Sequence, residues 1–127
     1  MDAVVAAEAF SDLRTVAAER APFFFTRGVI RDAFALAERM GRFDADAVNP
    51  ADAAARVSAP TLLIHGEADA DTPPAHSRRI HAALHGPKQL LLVPGARHNE
   101  SLRPDVWLRI ERWLDQALDG QPIDAGR

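Results

Sequence analysis

An aspartate and a histidine stand in equivalent places, each in a turn that follows an apolar run. Asp69 lies in "GEADADTP", after "PTLLIHG", and His98 lies in "PGARHNES", after "KQLLLV". A carboxylate that binds one ring nitrogen of a histidine fixes its tautomer and leaves the other nitrogen to take a proton from a hydroxyl or a water. A third turn, "AFSD" after "AVVAAEAF", brings Ser11 to the corresponding place and makes it the candidate nucleophile. A serine there equally suits the N-cap of the helix that follows. Asp71 is the rival acid to Asp69, and its other reading is a turn residue ahead of Pro73 and Pro74. A water activated by His98 is the serine-free alternative.

The remaining polar side chains have structural readings. His65 falls inside an apolar run and is expected to be a hydrogen-bonded core residue, while Glu67 faces solvent. His81 and His85 are spaced to share a helix face, but no third ligand accompanies them, so a solvated face is expected and not a metal site. Ser101 reads as a cap for the last helix, and Ser58 and Ser77 have weaker positional arguments. Phe23, Phe24 and Phe25 are expected to pack into the core, with an acyl pocket as the other reading. Trp107 and Trp113 are read as core residues of an amphipathic helix.

Those turns need elements to carry them. Three apolar runs, Ala3 to Phe10, Pro60 to Gly66 and Lys88 to Gly95, read as buried strands, since a sheet covered on both faces gives continuous runs instead of alternation. Between and after them lie helical stretches. "SDLRTVAAERA" starts at Ser11, and "RGVIRDAFALAERMGRF" places Val29, Ala33, Leu36, Ala37 and Met40 on one face. "NPADAAARV" has Asn49 as cap and Pro50 at its first position. "PAHSRRIHAALHG" is closed by Gly86, and "RPDVWLRIERWLDQALDG" by Gly120. Strands separated by helices predict parallel pairing with right-handed crossovers, which collects all three turns at the carboxyl ends of the strands. The fold class is therefore α/β: a three-layer parallel sheet of about three strands flanked by helices, in one domain over residues 1–120, with 121–127 a flexible tail. Residues 23–49 form the one long excursion between strands, and it is placed to cover a pocket.

Composition narrows the partners. The chain has 127 residues, enough for one core, with 47% apolar and 26% charged residues, the balance of a globular domain. The net charge of −3 and the lack of a basic run argue against nucleic acid. With no cysteine, thiol catalysis and zinc-thiolate sites are excluded, and no cofactor is expected. No apolar run is long enough for a membrane span, and "MDAVVAAEAF" has no positively charged stretch, so residence in the cytoplasm is the expectation.

From Ala3 to Leu118 the chain resembles the C-terminal half of an α/β-hydrolase of the serine aminopeptidase/esterase-like type. "PTLLIHGEADADTPPAHS" resembles the motif of the penultimate strand, where the aspartate two residues after "GE" is the triad acid; here that is Asp69. "LLLVPGARHNE" resembles the last-strand motif, where the histidine before asparagine is the triad base; here that is His98. "AVVAAEAFSDL" resembles the strand and turn that follow the nucleophile's strand by one. The family's Gly-x-Ser-x-Gly elbow is nowhere in the sequence, and neither is the loop that supplies half of its oxyanion hole. What the resemblance implies is hydrolysis of small carboxylic esters by an Asp69–His98 pair with Ser11 or water as nucleophile. The alternative is an inactive fragment or binding module that needs a partner chain bearing the serine. Reduction to three strands implies an open edge at the first strand and, through it, a homodimer that also brings a second copy's turns near the pair.

Overall fold

The computed structural model of the chain describes residues 2–123. Three strands, β1 (Val4–Ala7), β2 (Thr61–Gly66) and β3 (Lys88–Val93), form one parallel sheet in the order β1-β2-β3. In register, Val5 stands beside Leu62, and Leu62 beside Gln89. Five α-helices accompany the sheet: α1 (Leu13–Arg20), α2 (Arg27–Gly41), α3 (Pro50–Ala54), α4 (Ala75–Ala83) and α5 (Pro104–Leu118). A 3-10 turn, Ala45–Ala47, links α2 to α3.

The middle strand explains its own sequence. Every residue of β2 is buried, because helices cover both faces. Leu62 and Ile64 point to one side, joined by Leu91 and Val93 of β3, and α5 closes over them with Val106, Ile110, Trp113 and Ala117. Those four positions recur at helical spacing, and the three large ones contribute about 1.5–3 kcal/mol each by leaving water. Leu63 points to the opposite side, where Ala54 of α3, Ile80 of α4 and Leu84 just after it meet it.

The expected α/β architecture is found, with several local differences. The first strand is shorter than Ala3 to Phe10, since Glu8 turns into the left-handed region at φ 53°. The cap of α1 is Asp12, not Ser11: the Asp12 carboxylate accepts from the Thr15 amide. Helix α4 ends at Ala83, so His81 and His85 do not share a helix face and Gly86 is not its cap. Ser101 does not cap α5, which begins after Arg103 without a side-chain cap. Trp113 is buried as expected, but Trp107 is half exposed.

The largest departure concerns the excursion between β1 and β2. Phe23 is 99% exposed, Phe24 67% and Phe25 41%, so the three rings stack edge-on to one another outside the core. No residue of α2 is buried. Arg14 of α1 pairs with Glu38 of α2 and Asp46 of the 3-10 turn and lies 4.9 Å from the Phe34 ring centroid. In the expected tail, the Gln121 amide still bonds to the Gln116 carbonyl and Ile123 packs against the α5 core; 124–127 lie outside the described residues. Among the described residues no helix is long and apolar enough to cross a membrane.

Candidate active site

The three turns at the carboxyl ends of the strands do converge. Asp69, in the turn after β2, is buried and its carboxylate accepts three hydrogen bonds. Its Oδ1 takes the amides of Asp71 at 3.0 Å and Thr72 at 2.8 Å. Its Oδ2 takes the His98 Nδ1–H at 2.8 Å, and the His65 Nε2 lies 3.3 Å away. Burial pushes the Asp69 carboxyl upward, but the Thr72 amide and the His98 ring outweigh it and hold it below the usual carboxylate range. Asp71, the rival acid, is exposed and contributes its backbone to this turn.

An ionised carboxylate can only accept, so the contact with Asp69 places the His98 proton on Nδ1 and leaves Nε2 with its lone pair. That nitrogen faces an open depression lined by Glu19, Arg20, Ala70, Asp71 and His98. Arg20 is its near neighbour, with Nη2 3.5 Å from the His98 Nε2. The guanidinium is anchored there by the Asp71 carbonyl at 2.8 Å and the Thr72 hydroxyl at 3.0 Å.

His98 owes its place to a glycine. A Cβ on Gly66 would lie 2.3 Å from the Ala96 carbonyl oxygen, so only glycine lets the end of β2 pass under the turn that carries His98. The Ala68 amide donates to that same oxygen at 2.9 Å and locks the two turns together. His65 helps from below: its Nδ1 accepts from Ser77, and its Nε2 donates to the Thr72 carbonyl at 2.7 Å. It is the hydrogen-bonded core histidine that its position suggested.

Ser11 is held elsewhere. It is only 1% exposed; its hydroxyl donates to the Asp12 carboxylate at 2.9 Å, accepts from Arg79 Nε at 2.8 Å and lies 2.8 Å from His76 Nδ1, and none of these partners is His98. His76 also accepts the Ser11 amide on Nδ1, so its Nε2–H donates to Glu19 at 2.7 Å. This chain of bonds joins the end of β1 to α4 and to the last turn of α1, and it thereby fixes the segment that presents Glu19 and Arg20 to the depression. Sequence reasoning missed Arg20 and His76, because both lie on helices, where no local pattern marks a polar side chain as facing the turns.

It also missed Glu8, whose one signal was a charge at the end of an apolar run. Glu8, Asp69 and His98 place ligand atoms within 4.8 Å of one another, the grouping among the described residues that is spaced to hold a cation. Each donor already has a hydrogen-bond partner: Glu8 takes the Asn99 and Ser101 amides, and Asp69 and His98 take each other. The set fits a hydrogen-bonded clasp without calling for a metal. Compared with known proteins, residues 1–121 match the profile of the prolyl oligopeptidase family, part of the α/β-hydrolase superfamily. No curated protein matches the chain at a significant level.

Proposed function

The chain belongs to the prolyl oligopeptidase family, and from that premise we propose that it acts as a hydrolase of small carboxylic esters, with Asp69 and His98 as its acid–base pair. The observation that carries this reading is the 2.8 Å bond between the buried Asp69 carboxylate and His98 Nδ1, with Nε2 turned to an open depression. Water is the nucleophile in this reading, because the Ser11 hydroxyl is enclosed by His76, Asp12 and Arg79.

His98 Nε2 takes a proton from water as the oxygen adds to the ester carbonyl. Asp69 stabilises the imidazolium through Nδ1–H, and the Arg20 guanidinium faces the negative charge that grows on the carbonyl oxygen. Collapse expels the alcohol, which leaves with the proton from Nε2. Turnover of p-nitrophenyl acetate by the purified protein tests this. His98→Ala is expected to lose about 10²–10⁴-fold, the usual share of a general base, and no serine is expected to react with a fluorophosphonate probe. Equal rates in wild type and variant would end the proposal.

A second reading has its own support. Among the described residues no strand pairs with the outer side of β1, and Val4 and Val5 are exposed along it. A partner chain adding a strand there, with a serine at its carboxyl end, would bring a nucleophile toward His98. Turnover that appears only with such a chain, together with labelling of the partner's serine, would favour it over the water mechanism.

A further inference from the structure

We propose that Glu8 is a positioning residue for His98, acting with Asp69 to hold the ring proton on Nδ1; the inference rests on the reading of His98 as the base. Glu8 is the contribution of β1 to a site otherwise built from the ends of β2 and β3. Its carboxylate reaches across the sheet to accept the Asn99 amide at 2.5 Å and the Ser101 amide at 3.2 Å. The Asn99 amide belongs to the peptide unit that joins Asn99 to His98, so this bond fixes the backbone on which the imidazole is mounted.

The backbone shows what the clasp must overcome. Glu8 has φ 53° and Asn99 φ 64°, both in the left-handed region. Asparagine enters that region readily, glutamate much less so, and a strained residue of this kind persists only where its surroundings determine it. Here the two left-handed residues are bonded directly to each other beside His98. Removing the Glu8 side chain leaves the Asn99 and Ser101 amides without their acceptor.

Charge gives the clasp a second effect. Glu8 Oε2 lies 3.8 Å from His98 Nδ1, on the same side of the ring as Asp69 Oδ2. Nδ1 therefore faces two carboxylates, while Nε2 faces the guanidinium of Arg20 at 3.5 Å. The field across the ring favours a proton on Nδ1 and a bare Nε2, which is the form a general base requires.

The test reads the tautomer itself. Two-bond proton–nitrogen correlation spectra of protein labelled with ¹⁵N-histidine separate Nδ1–H from Nε2–H rings. Wild type is expected to show His98 as Nδ1–H. Glu8→Ala is expected to move it toward the Nε2–H form that a free imidazole favours, and to speed amide exchange at Asn99 and Ser101 at least tenfold. Glu8→Gln, which keeps one acceptor oxygen without the charge, is expected to fall between. His76, buried in its own network, reports whether each variant is folded. An unchanged His98 tautomer in either folded variant overturns the proposal. Because no turnover enters the measurement, a shifted tautomer in a protein without esterase activity would uphold Glu8 and reject the function.

Discussion

A histidine works as a base only while one nitrogen is bare and the other is held, and here the holding is done by a carboxylate with no freedom of its own. The three donors around Asp69 make Asp69→Asn a test of more than charge. Asparagine would keep an oxygen for the Asp71 and Thr72 amides but turn an NH₂ group toward His98 Nδ1–H, donor against donor. The expected cost is about 1–3 kcal/mol in denaturant midpoints, the price of an unmet buried polar group. The pH dependence follows in sign. The Asp69 carboxyl is held below its ordinary value of about 3.9, so its stabilisation is complete above that value and is lost as pH falls through the lower, folded value. Asp69→Asn is therefore expected to give a flatter stability curve below about pH 4 than wild type does. Asp69 and His98 were legible in the sequence because each sits in a short turn beside an unmistakable strand. Glu8 and Arg20 were not, since nothing local marks an acid at a strand end or an arginine at a helix end as facing a site. Ser11 was legible as a turn hydroxyl only; its enclosure depends on His76 and Arg79, which reach it from α4.

The site's geometry is inherited from the elements beneath it, and two single changes probe that inheritance. Gly66→Ala would drive a methyl group into the Ala96 carbonyl, and backbone cannot yield as a side chain tip can. The expected loss is about 1–3 kcal/mol in thermal or denaturant unfolding. Because Ala96 leads directly to His98, the proposed esterase activity should fall further than stability does. Asp12→Ala removes the cap of α1, where the carboxylate meets the Thr15 amide at 2.8 Å. That change is expected to cost about 1 kcal/mol, while Ser11→Ala should act instead through the His76 and Arg79 network and loosen the α1 turn that carries Arg20. If both variants lost the same stability and left Arg20 unmoved, the separate roles given to these neighbours would be wrong. The elements best read from sequence were β2, β3 and α5, whose apolar patterns answer to a core on two faces or one. Helix α2 has as clear an apolar stripe, yet no core receives it: periodicity records that a face is apolar, not that the chain contains its cover.

At the scale of the whole molecule, the open apolar surfaces among the described residues include the β1 edge with Val4 and Val5 and the α1–α2 surface with Phe23, Phe24, Leu36 and Met40. Self-association is the ordinary fate of such surfaces. Identical edge strands that hydrogen-bond across a two-fold axis run antiparallel, so a dimer through β1 would set its two Asp69–His98 pairs at opposite ends of the joined sheet. Such a dimer cannot lend a turn of one copy to the site of the other, contrary to the expectation drawn from sequence. A strand that carries a serine to His98 must instead lie parallel to β1. Homodimer and completed site therefore compete for one edge. Four-residue strands alone bury too little for a stable pair, which needs about 1,600 Å² in total, so the uncovered face around Val5 must join the contact. If the β1 edge carries association, Val5→Lys should sediment as a monomer while Leu36→Glu with Met40→Glu still dimerises. The reverse pattern would move the interface to α2, and a wild type that stays monomeric at high concentration would remove the homodimer altogether. Were the edge interface found, a serine-bearing partner chain should dissolve the dimer in proportion as it restores turnover, one event seen by sedimentation and by assay.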